Sequence, residues 1–283
     1  GWSCDASRRW FLMSTIIIKR FDGTTYDLDA LGFHVKKFDI PMNNYNLSYQ
    51  QLGKYGALLT DVQEQQLTIP LTLDVTAKDL ADYNLQLYKL RRIFRSDEDF
   101  YVWNNIIPYL RWKCRAEAVT PTQNGNFWRA TDVAINLDVP DGYAETVAST
   151  QDPVDFNQGQ WGFGEGTPDT ELKYTYNTTD FSFWNLGIIP LNADERPVQI
   201  TFKGDAPNGF TITNKTTQKS MKITREVTKN DTVTINGLIP SFNGVPSYKD
   251  CDHGYLDFAV GENGIHIDGA TNFELKFDTR FYF

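Results

Sequence analysis

Long apolar runs are missing from this sequence. No stretch approaches the roughly 20 residues that an α-helix needs to cross a bilayer, and the run Ile16–Ile18 near the start is far too short. Cysteine is scarce too. Cys4, Cys114 and Cys251 are odd in number and show no CxxC spacing, which argues against a disulfide scaffold and against a thiolate zinc site and fits synthesis in a reducing cytoplasm. Histidine occurs only as His34, His253 and His266, none in a HExxH, GxSxG or HxE…CxxC context, so no hydrolase or zinc motif is recognisable. The glycines Gly159, Gly162, Gly164 and Gly166 lack the Lys-Ser/Thr of a phosphate loop and read as a plain loop. Asp250-Cys251-Asp252-His253 looks like a metal cluster on paper, but successive residues of an extended chain point to opposite faces, so it reads as a solvated turn. No catalytic, cofactor-binding or metal-ligating set is expected.

What is present is ample core material and an uneven charge. Of 283 residues, 41% are hydrophobic and 14% aromatic, enough for one large or two ordinary domains. Residues 1–140 carry 16 basic and 16 acidic side chains, whereas residues 141–283 carry 11 and 20 and so hold the entire net charge of −9. A half that acidic is a poor nucleic-acid binder, because phosphate contacts need a basic footprint. The balanced half can pack against copies of itself without strong repulsion. Residues 1–12, with Arg8 and Arg9 but no long apolar region, are not a secretory signal and read as an appended leader or upstream extension before Met13.

The clearest pattern runs from Leu67 to Phe94. Leu67, Ile69, Leu71, Leu73 and Val75 alternate with polar residues, the mark of a half-buried strand. Pro70 marks that strand as an edge or a bulge. The period changes at Thr76, with Asp79 three residues on as a first-turn carboxylate. Leu80, Tyr83, Leu87, Leu90 and Phe94 then form one helical stripe, expected to be core. Before it, Met42–Gln66 is polar and bears Tyr45, Tyr49 and Tyr55; it reads as a loop too long for an ordinary hairpin turn, of the length that is usually functional or disordered. The plainer alternative is a surface loop whose tyrosines fold back on their own domain. Val133, Ile135, Leu137 and Val139 alternate again before a break at Pro140-Asp141-Gly142, which divides the chain into residues 13–140 and 141–283. The second half consists of short strands punctuated by Pro207-Asn208-Gly209, Asn236-Gly237, Asn263-Gly264 and Asp268-Gly269, the signature of an all-β sandwich of jelly-roll type.

A short opening strand, a long loop, an alternating strand entering a single helix, and a β half ending in Phe281-Tyr282-Phe283 together resemble the distal tail proteins of long-tailed, non-contractile bacteriophages (siphophages). Leu87–Arg92 and the strand Ala130–Val139 running into Pro140-Asp141 add to the likeness. The resemblance implies a mainly β protein with one α-helix: an N-terminal tail-tube-like β-sandwich plus helix, and a C-terminal galectin-like or jelly-roll β-sandwich. It implies a structural virion protein, not an enzyme, that forms a homo-hexameric ring between tail tube and baseplate or host-adhesion device. The implied partners are the tail-tube protein, a tail-associated hub or fibre protein and a receptor-binding protein, with no membrane or specific nucleic acid. The implied location is the virion tail tip. In such rings an extended loop or hairpin reaches the next subunit, and Tyr45, Tyr49 and Tyr55 are the anchors expected here. The alternative is a carbohydrate-binding module that recognises cell-wall saccharide by stacking sugar on Trp161, Phe163 or Trp184 in the second half; the plainer reading of those rings is core.

Overall fold

The structure is a computed structural model that describes residues 15–153, 161–162 and 172–283. The chain divides into two compact units at Ala144/Glu145, just past the Pro140-Asp141-Gly142 turn.

In the first unit, β1 (Ile16–Arg20) turns through Asp22-Gly23 into β2 (Thr25–Asp27). It is followed by β3 (Phe33–Phe38), β4 (Tyr45–Gln51), β5 (Ala57–Glu64), β6 (Leu67–Thr76), α1 (Leu80–Ile93), β7 (Phe100–Asn104), β8 (Leu110–Ala116) and β9 (Arg129–Val139). The strands pair antiparallel in the order β2-β1-β7-β8-β9-β6-β3, and β4 and β5 pair with each other. The alternation read from the sequence sets the inward face. Ile69, Leu71 and Leu73 stand opposite Leu137, Ile135 and Val133, and all six are buried. Ile16 and Ile18 from one end of the sheet and Phe33 from the other join the same core, so the sheet curls around its apolar side. Burial pushes the Cys114 thiol up, which leaves it a small apolar core group and not a nucleophile.

Pro70 does not mark an edge strand. β6 lies between β9 and β3, but β3 pairs only as far as Leu71. Pro70 sits one residue beyond that pairing, where no neighbouring strand on the β3 side would receive its missing N–H.

The helix starts later than its sequence signal. Asp79, not Thr76, is the N-cap: it has extended backbone and its Oδ1 accepts from the Asp82 amide at 2.8 Å. Asp82 reaches back to the Lys78 amide at 3.0 Å, one residue before the cap, in a variant of the capping box. Of the expected stripe, Tyr83 and Leu90 are buried and Leu87 and Phe94 pack partly against the core. Leu80 is exposed and Ile93 takes a core place instead. At the other end the buried Arg20 guanidinium donates to the carbonyls of Ile93 and Arg95 and pairs with Glu98 at 3.0 Å, a cation set against the negative helix terminus. Asp79→Ala is expected to lower the stability of this unit by about 1 kcal/mol, and Asp79→Asn by only a few tenths. Denaturant titration of both variants checks this; equal losses would mean the box contributes nothing.

The second unit runs through β10 (Glu145–Thr146), β11 (Thr175–Tyr176), β12 (Asp180–Asn185), β13 (Gln199–Asp205), β14 (Phe210–Asn214), β15 (Lys219–Ile223), β16 (Val233–Asn236), β17 (Ile239–Phe242), β18 (Val245–Pro246), β19 (Gly261–Asp268) and β20 (Thr271–Asp278). One sheet has the order β11-β20-β13-β16-β17-β18, the other β12-β19-β14-β15, and the inward residues of both share one core. This is the expected β-sandwich. Two local expectations differ. Leu256–Val260 is not a strand, and Asn263-Gly264 is not a turn but lies inside β19. Both departures have one cause. The fully buried Asn263 side chain accepts from the Ala259 amide and donates to the Ala259 carbonyl, each at 2.8 Å, and so serves the backbone of the irregular segment as a strand would. Asn214 donates to Asn263 at 3.0 Å and to the Asp257 carbonyl at 2.8 Å, which completes the buried network.

Candidate assembly hairpin

The segment read as a long loop is a β-hairpin arm. It grows out of the β3–β6 pair: the Gln65 amide donates to the Asn44 carbonyl at 2.8 Å, and pairing then runs from Tyr45/Glu64 to Gln51/Ala57. The tip is closed by a Leu52 amide to Gly56 carbonyl bond of 3.1 Å, with Gly53 and Gly56 in the left-handed region. Every residue of β4 and β5 is exposed.

Cross-strand partners share a face, so the register sorts the side chains. Tyr45/Glu64, Leu47/Val62 and Tyr49/Leu59 fall on one side of the ribbon, and Asn46/Gln63, Ser48/Asp61 and Gln50/Leu58 on the other. The sorting depends on a register shift beside Ser48/Tyr49, where Thr60 is the extra residue and its hydroxyl donates to the Ser48 carbonyl at 3.1 Å. Without that bulge Val62 and Leu59 would point to opposite sides. The result is an amphipathic ribbon with Tyr45, Leu47, Tyr49, Leu59 and Val62 on one face, each 45–60% exposed. A two-stranded hairpin is marginal alone in water, and contiguous exposed apolar patches on a protein are characteristic of contact surfaces for proteins, membranes or ligands.

The expected anchors Tyr45 and Tyr49 therefore lie together on the apolar face, while Tyr55 sits at the tip, 81% exposed, under the Lys54 ammonium. Leu47, Leu59 and Val62 belong to the same face and escaped the sequence reading, because the bulge interrupts their alternation.

Of the expected saccharide contacts, the two that are described do not offer an open ring face. Trp161 is only 4% exposed and packs on Phe281; burial beside the terminal aromatic removes the open ring face that stacking needs. Trp184 is half-buried in β12, with its carbonyl accepting from the Tyr174 hydroxyl at 3.0 Å. Phe163 lies outside the described residues. Burial pushes the Tyr174 and Tyr176 phenols up, so both stay protonated as donors to the backbone of β12. Asp252 accepts from the Lys222 and Gly254 amides at 3.0 and 2.9 Å, and Asp250 accepts from the Ser247 hydroxyl and faces Arg225. Among the described residues, no group of three or more His, Cys, Asp or Glu side chains is placed to hold a metal ion.

Comparison with known proteins gives this arrangement a context. The family model described as phage tail protein RIFT-related domain matches residues 21–139, and the one described as siphovirus-type tail component, C-terminal domain, matches residues 192–281. The chain belongs to the siphophage distal tail protein family. Among solved structures, the distal tail protein Dit (gp 19.1) of phage SPP1, described as a paradigm of the hub adsorption apparatus in phages that infect Gram-positive hosts, superposes with a TM-score of 0.68 at 11% identity, over 94% of this chain and 99% of that one. A chain of the phage p2 baseplate in its activated conformation with Sr matches with a TM-score of 0.49 at 9% identity, over 94% and 97%. No curated protein matches the sequence. Both family models describe phage tail proteins, which places this chain among the structural components of the virion tail.

Proposed function

We propose that this distal tail protein closes into a six-copy ring at the end of the tail tube, with the β4–β5 arm of each copy laid against its neighbour. The observation that carries this reading is the uncovered apolar face of the arm, Tyr45, Leu47, Tyr49, Leu59 and Val62, held on an extension with no core of its own. One arm meeting one receiving surface is a heterologous contact, and such contacts form a ring when the rotation closes. The balanced charge of the first unit permits copies to pack, and the acidic second unit is the docking domain for baseplate or receptor-binding components. The tail-tube protein and a tail-associated hub or fibre protein are the axial partners; synthesis takes place in the host cytoplasm. Saccharide recognition through Trp161, Phe163 and Trp184 has less support, given the buried Trp161.

Native mass spectrometry with negative-stain imaging tests the ring. Six or twelve copies of the 32.4-kDa chain in six-fold particles is the expected result. A monomer that persists after addition of the tail-tube protein and the adjacent tail component would overturn it.

A further inference from the structure

The first unit has an apolar hollow on the flank of α1. Its volume is about 340 Å³; Leu87, Leu90 and Phe94 of the helix line one side, and Val119, Pro121 and Ile135 the other. The whole lining falls within one continuous described stretch, residues 87–135. Its cause is local. β8 pairs with β9 only at Arg115 and Ala116, and the last bond runs from the Glu117 amide to the Asn136 carbonyl at 2.9 Å. Pro121 has no N–H with which to resume the ladder, so a gap is left between this segment and the last two turns of α1. The Ser96 hydroxyl in the lining is engaged, donating to the Phe94 carbonyl at 3.0 Å and accepting from the Ala116 amide at 2.8 Å. Glu117 accepts from the Asn136 side chain through one carboxylate oxygen at 2.9 Å, and its other oxygen has no partner among the described residues.

The arm carries a side chain that suits this hollow. Tyr55 at the tip is 81% exposed, and every residue of β4 and β5 is exposed as well, so the arm stands clear of its own unit. The two features lie on opposite flanks. The arm continues the β3–β6 pair, and β3 is an edge of the sheet; the hollow lies past β6, on the β8 side of β9. A knob on one flank and a hole on the other is what a head-to-tail ring requires, because a heterologous contact joins two different patches. Tyrosine combines a large apolar ring with a polar tip, which fits an apolar hollow with a carboxylate in its lining. Charge agrees: Lys54, beside Tyr55, makes no ion pair among the described residues and can meet Glu117. We infer that Tyr55 of one copy seats in the α1 hollow of the next, with Lys54 against Glu117. The inference rests on the ring reading and names its receiving surface.

The test is the chain concentration at which half the copies are in rings, read by native mass spectrometry on the full chain. Tyr55→Ala and Ala118→Trp, which fills the hollow from an exposed position, are each expected to raise it about tenfold, the loss of one anchor residue. Ala118→Ser is expected to leave it unchanged. Lys54→Glu and Glu117→Lys are each expected to raise it about threefold, the scale of an exposed ion pair, and the double swap to restore it. All these positions are exposed, and unchanged thermal midpoints confirm folding. Rings that form equally well with Tyr55→Ala and Ala118→Trp overturn the inference and leave the ring reading standing. Additive losses in the double swap overturn the pairing of Lys54 with Glu117. An unmodified chain that never assembles, even with the tail-tube protein present, overturns the ring and this contact together.

Discussion

Tyr49→Asp is expected to abolish assembly while leaving the fold intact. Tyr49 stands at the tip-side end of the apolar face of the arm, opposite Leu59 and beside the Leu47/Val62 pair, and is 60% exposed in the single chain. In the isolated subunit its replacement touches no core, so stability should change by no more than about 0.5 kcal/mol. In the ring the same position is covered. A carboxylate placed there must be buried without a partner, at a cost of about 3 kcal/mol or more, or about a hundredfold in the dissociation constant of each contact. Every interface of a closed ring carries the penalty, so the ring should disappear from native mass spectra at concentrations where the unmodified chain is assembled. Ser48→Asp, one residue away on the opposite, polar side of the ribbon, is the control and should retain rings. Loss of rings in both variants would mean that the whole ribbon and not one face is engaged. Rings in both would remove the arm from the interface.

Phe277→Ala is expected to unfold the second unit selectively. Phe277 is fully buried, and its ring lies 5.3–6.0 Å from those of Tyr176, Phe181, Phe183 and Phe258. It thus joins side chains from β11, β12 and β20 to the irregular segment around Phe258. Truncation of a buried phenylalanine removes its transfer energy and leaves a cavity, a loss of about 3–5 kcal/mol. That is a large share of the 5–15 kcal/mol typical of a whole domain, by order of magnitude. The two units have separate cores, so two transitions are expected in denaturant, with only the one belonging to the second unit displaced. Trp112 of the first unit and Trp184 of the second report on them separately when each is kept as a single tryptophan. A variant in which both transitions move together would show that the units unfold as one.

Much of the architecture was legible. Strict alternation from Leu67 to Val75 and from Val133 to Val139 gave the two strands that face each other at the centre of the first core, because a side-chain period of two leaves only one face to bury. Asp79, Tyr83 and Leu90 identified the helix, though Asp79 is itself the cap and Asp82 supplies the first-turn carboxylate that reaches back to the Lys78 amide. The sandwich of the second unit followed from regularly spaced turns, while Asn263-Gly264 misled because its asparagine serves the backbone of a distant segment and not its own turn.

The sequence by itself determined the two-part organisation, the single helix, the inward faces of the principal strands and the charge asymmetry. These depend on local period and composition, which the chain carries residue by residue. Only the tertiary structure decided what those residues face. One bulge at Thr60 turned an unpatterned polar segment into a ribbon with an apolar side, and strand order brought Asn214 and Asn263 together in one buried network from separate parts of the chain. Burial did the opposite for Trp161, enclosing a ring that would have to be open to stack a sugar. Periodicity records the orientation of a side chain relative to its own backbone; whether another surface covers it is settled by register and sheet order, which arise only when distant segments pair.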